Sequence, residues 1–440
     1  MKTASISLGE KIRQVRMSKG YSQENLAHAT GKSKALISRL ERGESEFDSK
    51  TLAATRKFLD IEKAPLIEYE LNVYKSRMLT WNDLVSARRL DEAKAIEEGM
   101  AHILKLPYER DLNIMYRMIA SRALLSVTGC DPSEAKEHLN AVEDMLEDAS
   151  DDALYLYNRV MGALVAALSG ESEELLKYSL KAYHSNSEMR KSDMRLVFGI
   201  GVAYYQLKMP IRAALFFERV LNEYRGDHTT DVLYQVVTLL GHCHMFFGDY
   251  ERAYSLFEQS LVIVKGFNNS LFTSIVLTNI AAACVELKDY EKGIEYCDEA
   301  LLYIQDYENE HYATTYRECH VSALTYKAKC LQGLKNYVGC KEALELARQV
   351  VTKDDEGLII QIETQHHITT LGDANSLDYL ENVALPYAIN AGLPNLLTVL
   401  ELCDILETQH RKRGAARKAD VIVNICRDVY REMIFGVKSK

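Results

Sequence analysis

The segment SQENLAHATGKSKALISRLERG, residues Ser22 to Gly43, decides the fold of the N-terminal part of the chain. Ser22 and Ser33 each stand where a side-chain oxygen can accept hydrogen bonds from the free N–H groups that open a helix. Gly31 lies between them, and glycine adopts the positive φ of a helix-ending residue at little steric cost. The segment therefore predicts two short helices joined by a tight turn.

The second of these helices is expected to have an apolar inner side and a basic outer side. Leucine and isoleucine recur inside at helical spacing, and the outer side carries Lys32, Lys34, Ser38, Arg39 and Arg42. Residues 1–63 have a net charge of +5, whereas the rest of the chain has −15. A basic helix after a small-residue turn is typical of a helix-turn-helix, so we expect only this N-terminal part to meet nucleic acid.

The same segment, with LGEKIRQVRMSKGYS before it, resembles the XRE/Cro-type helix-turn-helix family over about the first 60 residues. The resemblance implies that Gln23 holds a DNA phosphate and that Arg16 and Glu41 form a buried salt bridge. It also implies that Lys34, Ala35 and Arg39 face base edges, where Ala35 can meet only a thymine methyl group. The DNA-binding residues expected are Gln23, Lys32, Ser33, Lys34, Ala35, Ser38, Arg39 and Arg42.

The composition indicates a helical, multidomain protein. The chain has 440 residues, and its few prolines (6) and glycines (22) favour helix over sheet. It shows no continuous run of about 18 apolar residues and no signal peptide, so we expect a cytoplasmic protein without a membrane span. Nine scattered cysteines without a CxxC pair indicate reduced thiols.

No motif for an enzyme, a metal site or a cofactor is found in the sequence, and we expect none of the three. His242 and His244 flank a cysteine and look at first like a metal cluster. Residues two apart on a helix point in different directions, however, so these side chains are poorly placed to hold one ion.

From about Leu66 onward the chain repeats a pattern of small and large residues. The anchors Gly201, Gly241, Ala281 and Ala328 are spaced by 40, 40 and 47 residues. Each is followed by a small residue 12 positions later and by Phe, Cys or Leu 16 positions later. Two antiparallel helices cross closely where one offers a small residue and a larger side chain fills the gap beside it. The pattern predicts stacked helix pairs, about nine of them.

These units resemble tetratricopeptide repeats, although they are longer than that family's usual repeat. The resemblance implies an all-α fold in which a helix-turn-helix domain, residues 1–63, is followed by a right-handed tetratricopeptide-repeat superhelix, residues 66–376. Residues 377–440 keep amphipathic helices but lose the small anchors. We interpret them as a C-terminal helical cap or a dimerisation region.

In this repeat family the concave face binds extended peptides. Counted from each anchor, the inner face offers Arg195, Phe198, Tyr205, Gln235, Thr238, His242, Asn279, Ala282, Glu286, Tyr326, Lys329 and Gln332. Eight of these are expected to bind the peptide: Arg195, Tyr205, Gln235, Thr238, His242, Asn279, Glu286 and Tyr326. Asn279 is the strongest candidate, because its amide both donates and accepts and can hold a peptide backbone in two directions. The alternative, a solvated or locally bonded asparagine, is left open by the sequence.

An XRE-type domain followed by a long tetratricopeptide stack resembles the RRNPP family of cytoplasmic quorum-sensing peptide receptors. The resemblance implies a transcriptional regulator that binds double-stranded DNA as a homodimer and is switched by a short imported signalling peptide in the concave face. The alternative is that the repeats mainly dock a protein partner, such as a response regulator that they inhibit. We hypothesise that the peptide changes the curvature of the stack and thereby the spacing of two DNA-binding domains.

Overall fold

The computed structural model describes residues 6–127, 131–168, 170–223, 230–266, 269–304, 313–391 and 396–435. Within these ranges the chain consists of helices and connecting turns, and no strand is present. The predicted all-α class is therefore confirmed. The chain divides into two compact units, Met1–Leu196 and Val197–Lys440.

The first unit begins with a head of four short helices: α1 (Leu8–Ser18), α2 (Gln23–Thr30), α3 (Lys34–Glu41) and α4 (Ser49–Phe58). The Ser22 hydroxyl accepts a hydrogen bond from the Asn25 N–H at 3.1 Å, and Ser33 caps α3 through the Leu36 N–H at 3.2 Å. Gly31 ends α2 with a φ of 66°. The two helices and the turn predicted from the quoted segment are thus present, and α2 packs against α3.

Helix pairs follow the head in the first unit. Their helices are α5 (Glu68–Ser86), α6 (Leu90–Met100), α7 (Arg110–Leu125), α8 (Pro132–Asn140), α9 (Asp151–Leu168), α10 (Ser172–Tyr183) and, running into the second unit, α11 (Met194–Gln206). Short 3₁₀ turns occur at Ala101–Lys105, Glu143–Met145 and Glu188–Ser192. Successive helices from α5 to α10 pack against one another, as α5 does against α6 and α9 against α10.

The apolar core of the head includes residues from outside the head. Ile12 and Leu26 are fully buried, and Leu106 and Tyr108, which precede α7, pack in the same cluster. The head is therefore joined to the first helix pairs by side-chain packing as well as by the continuous chain.

The second unit continues the series of helix pairs. Its helices are α12 (Pro210–Glu223), α13 (Thr230–Phe247), α14 (Tyr250–Gly266), α15 (Ser270–Leu287), α16 (Tyr290–Leu302), α17 (Ala313–Gly333), α18 (Tyr337–Val350), α19 (Glu356–Thr369), α20 (Ala374–Tyr379), a π-helical turn (Leu380–Ala384), α21 (Leu385–Asn390), α22 (Leu396–Lys412) and α23 (Ala416–Phe435). The last helix, α23, packs against α12. Helices near the two ends of the second unit are therefore in contact.

The small anchors lie where paired helices approach most closely. A Cβ atom placed on Gly241 would stand 2.5 Å from the ring of Phe257, and one on Gly201 would stand 2.6 Å from the ring of Phe217. Real Cβ atoms do not approach this closely, so glycine is required beside phenylalanine. The units anchored by Ala281 and Ala328 carry the smaller Cys297 and Leu344 at the corresponding position.

One helix is long and apolar enough to cross a membrane, although the sequence has no continuous run of about 18 apolar residues. Among the described residues, α15 is the one helix that meets this criterion, by its length and composition alone. Threonine, serine and asparagine interrupt the apolar residues of this helix. Its most apolar stretch is 56% buried inside the protein, and it packs against α14, α16 and α17. This burial is what a core helix of a folded domain requires.

The cysteines in the described ranges carry free thiols. Seven of the eight are buried, and Cys426 is half-buried, while Cys130 lies outside the described residues. Burial raises the pKa of these thiols, for example that of Cys284 to about 11. They are therefore protonated at neutral pH and act as small apolar residues of the core.

Candidate DNA-binding surface and ligand cavity

A buried ion pair fixes the interior of the head. The Arg16 guanidinium donates to both oxygens of Glu41, at 2.6 and 2.9 Å, and the two side chains are only 9% and 1% exposed. This is the salt bridge that the family resemblance implied. It ties α1 to the end of α3, so the orientation of α3 in the head is set by a charged, hydrogen-bonded contact.

Gln23 stands at the start of α2, beside the same ion pair. Its amide donates to Glu41 Oε2 at 2.8 Å, and the side chain is half-exposed. The N-terminus of a helix presents unsatisfied N–H groups and favours an anion. Gln23 is thus positioned where a phosphate can approach, and its contact with DNA stays a prediction.

The predicted DNA-binding residues of α3 and its flanks form one polar surface. Exposed members are Ser33, Lys34, Ala35, Arg39 and Arg42, whereas Lys32 and Ser38 are half-buried. Three of the cations have carboxylate neighbours: Lys32 with Asp48 at 3.2 Å, Lys34 with Glu24 at 3.6 Å and Arg42 with Glu44 at 2.7 Å. Among the described residues Arg39 has no such ion pair, so it is the cation most available to a base edge.

A cavity of about 860 Å³ lies in the second unit. Its walls come from α11, α13, α14, α15, α17 and α19, and from α21 and α22 of the C-terminal region. Four of the eight residues predicted to bind peptide line it, namely Tyr205, His242, Asn279 and Tyr326. The volume is in the range of ligand pockets, roughly 300–1,000 Å³.

The other four predicted residues are not part of the cavity wall. Arg195 belongs to the first unit. Thr238 faces α14, because its hydroxyl donates to the Tyr234 carbonyl at 2.7 Å and lies 2.7 Å from the Ser260 hydroxyl. Gln235 and Glu286 lie on α13 and α15 outside the lining. Their contact with a peptide stays a prediction.

Three buried polar atoms of the cavity wall have no partner in the described residues. They are His242 Nε2, Asn279 Nδ2 and Gln365 Oε1. Burial lowers the pKa of His242 to about 4, although the neighbouring Asn279 opposes this shift, so the ring is neutral at pH 7. Its Nδ1 lies 3.2 Å from the Tyr205 hydroxyl. A buried polar group without a partner costs free energy, and the wall therefore offers hydrogen bonds to a bound molecule.

The sequence analysis missed the residues that α19 and α22 contribute. Gln365 lies on α19, and Glu401 of α22 forms an ion pair with Lys329 of α17 at 2.6 Å. Neither helix carries the small anchor by which the repeats were recognised. The C-terminal region, interpreted as a cap or a dimerisation region, thus also supplies part of the cavity wall.

Comparisons with known proteins agree with this architecture. Residues 12–66 match the family model described as "Helix-turn-helix". The N-terminal head is a helix-turn-helix domain. A search of curated protein sequences gave no match, so the remaining similarity lies in the structure.

Solved structures resemble most of the chain. RapI in its apo form is 14% identical, with a TM-score of 0.56 over 83% of this chain and 100% of its own. The apo quorum sensor NprR from B. thuringiensis is 16% identical, with a TM-score of 0.56 over 82% of this chain and 100% of its own. NprR in complex with its cognate peptide NprX is 16% identical, with a TM-score of 0.52 over 81% of this chain and 99% of its own. The shared fold and the head together confirm the predicted resemblance to RRNPP receptors.

Proposed function

We propose that this chain is a transcriptional regulator, not an enzyme, which binds double-stranded DNA as a homodimer through α3. We further propose that a short imported signalling peptide in the cavity of the second unit switches DNA binding. The second proposal is carried by two residues of the cavity wall, Asn279 and Gln365. Within the described residues the donor Asn279 Nδ2 and the acceptor Gln365 Oε1 have no hydrogen-bond partner. A peptide backbone offers both an acceptor and a donor in every residue. The complex of NprR with its peptide supports a ligand of this class.

The switch is a linkage between two sites. A peptide changes DNA affinity only if it binds one conformation of the protein better than another. Dimeric helix-turn-helix proteins need their recognition helices about 34 Å apart to enter successive major grooves. A peptide-dependent change in this spacing is therefore sufficient to admit or reject DNA.

Arg39→Ala is expected to weaken binding to the specific DNA site by about 1–3 kcal/mol, because a guanidinium contact to a base edge is lost. The site is first selected from random-sequence DNA by the purified parent protein, and affinities are then measured by fluorescence anisotropy. Gln23→Ala, which removes a phosphate contact, is expected to weaken all sequences alike.

Lys57→Ala is the matched control for charge, since Lys57 is an exposed cation at the end of α4, outside α2 and α3. It is expected to change specific binding little. Equal losses for Arg39→Ala on specific and random DNA would show that Arg39 contacts only the phosphate backbone.

Asn279→Ala is expected to weaken peptide binding by about 1–3 kcal/mol, because a buried peptide group loses its hydrogen-bond partner. The peptide is obtained by affinity selection from a pool of random synthetic peptides, and binding is measured by calorimetry. Gln259→Ala provides the control, as it removes an exposed amide on α14 that does not line the cavity. Unchanged binding by Asn279→Ala would place the ligand elsewhere.

A further inference from the structure

The cavity is elongated along the helix α17. Its lining residues on this helix recur every three or four positions from Thr314 through Glu318 and Ser322 to Lys329. Fifteen residues of helix extend about 22 Å. An extended peptide covers about 3.3 Å per residue, so this face matches the length of about six or seven residues.

Negative charge is concentrated at one end of this face. Glu318 lies in the second turn of α17, and Asp354 and Glu356 stand at the start of α19. All three are exposed and line the cavity, and none forms an ion pair within the described residues. Helix α17 packs against α19, so these three carboxylates form one acidic end, which we define by Glu318, Asp354 and Glu356.

Charges elsewhere on the wall are compensated within the protein. Glu401 pairs with Lys329 at 2.6 Å, and an Asp355 oxygen lies 3.4 Å from Arg317 Nε in a second ion pair. His242 is neutral because its pKa is lowered to about 4. The carboxylates of the acidic end therefore give the cavity a net negative charge that none of the described wall residues cancels.

A buried acceptor points to a ligand rich in donors. Gln365 is 1% exposed and, like Glu356, lines the cavity from α19. Its Nε2 donates to Gln332 at 2.7 Å, while its Oε1 has no partner in the described residues and lines the cavity. This atom lies inside the protein, so its preference for an N–H donor is independent of the exposed acidic end.

We propose that the cavity selects peptides with a positive charge, whose cationic group lies against Glu318, Asp354 and Glu356. This inference rests on the proposed peptide-binding function and specifies its ligand class. The cation is either the terminal ammonium group or a lysine or arginine side chain near that end. Attraction between opposite charges favours a peptide bound with its cationic group at the acidic end. A peptide that carries carboxylates at this position is repelled.

The test uses three pools of synthetic peptides of about six residues, randomised except for two Lys, two Gln or two Glu near the N-terminus. The Lys pool is expected to bind at least about tenfold more tightly than the Glu pool at low salt, with a smaller difference at about 0.5 M salt. N-terminal acetylation separates the two sources of charge. If the terminal ammonium is the group recognised, acetylation weakens the Gln pool as well.

The variant Glu318→Gln/Asp354→Asn/Glu356→Gln is expected to remove the preference for the Lys pool. Its matched control is Glu251→Gln/Glu291→Gln/Glu342→Gln, which neutralises three exposed carboxylates on α14, α16 and α18 away from the cavity. The control should keep the preference. Far-UV circular dichroism verifies that both variants are folded.

Three outcomes overturn the inference, and one of them also overturns the proposed function. If the Glu pool binds as tightly as the Lys pool, or if neutralising the acidic end leaves the preference unchanged, the charge assignment is wrong while peptide binding stands. If no pool binds, the proposal of a peptide receptor falls with it. Asn279→Ala should weaken binding of all pools without changing their order.

Discussion

Asp193→Asn is expected to remove about 3–5 kcal/mol from the free energy of unfolding of the first unit. The Asp193 side chain is 8% exposed and lies between two guanidinium groups, with Arg159 Nε at 3.0 Å and Arg122 Nη2 at 3.9 Å. The Tyr155 hydroxyl also donates to it at 2.6 Å. Replacing the carboxylate by an amide leaves two buried cations without an anion. That loss is a large part of the stability of a typical domain, about 5–15 kcal/mol.

The pH dependence of stability provides a second signature of the same ion pairs. Burial by itself raises the pKa of Asp193, but Arg159 and Arg122 outweigh it and hold the pKa well below its usual range. The native pKa lies below the unfolded value of about 3.9, so the stabilisation is present above that value and is lost as pH falls through the native pKa. In Asp193→Asn this part of the acid destabilisation should be absent.

The measurement is urea unfolding followed by tryptophan fluorescence. Trp81 is the only tryptophan in the chain, and it is fully buried on α5 of the first unit, so its emission reports that unit alone. Asp131→Asn is the control, because Asp131 caps α8 from an exposed position and asparagine caps a helix about as well as aspartate. Equal, small effects of the two substitutions would contradict a stabilising role of the Asp193 ion pairs.

Local features of the head were predictable from the sequence, since each is set by neighbouring residues. Ser22 and Ser33 cap α2 and α3, and Gly31 takes the left-handed conformation between them. Caps and helix-ending glycines depend on a few neighbouring positions along the chain, so they can be recognised from the local sequence. The Arg16–Glu41 ion pair, in contrast, was inferred from a family resemblance and not from spacing.

Only some of the residues of the cavity wall could be predicted from the sequence. Counting from Gly241 and Ala281 gave His242 and Asn279, because the anchor fixes the rotation of a repeat helix. The same count gave Thr238, whose hydroxyl turns to α14 instead. Gln365 and Glu401 come from helices without an anchor. Their approach to the repeat helices depends on long-range packing that no local pattern in the sequence records.

Lys11→Met is expected to destabilise the attachment of the head by about 3–5 kcal/mol at pH 7, the cost of a buried charge without its partner. Lys11 Nζ lies 2.8 Å from Glu109 Oε1, and the side chains are 7% and 10% exposed. The ammonium group also lies 5.3 Å from the centre of the Tyr108 ring. The residues are 98 positions apart, so this contact joins α1 to the residue that precedes α7.

The sign of the pH effect separates a lost charge partner from a lost packing contact. Burial already raises the pKa of Glu109 even with Lys11 opposing it, and removing Lys11 raises the pKa further. A carboxyl with a raised native pKa costs stability above that pKa, and the cost vanishes as pH falls to the unfolded value of about 4.3. Lys11→Met should therefore recover stability on acidification, whereas a packing defect should not.

Hydrogen exchange of the α1–α4 amides measures this local opening directly. Lys11→Met/Glu109→Leu should restore most of the protection, because an apolar pair of similar volume replaces the ion pair. Arg13→Met is the control on the same helix: its partner Glu10 is 3.4 Å away and both are exposed, so about 0.5 kcal/mol or less is expected. Unchanged protection in Lys11→Met would mean that Leu106 and Tyr108 hold the head alone. With the ion pair present, the head reorients only with the start of α7, so the switch proposed above requires the two to turn together.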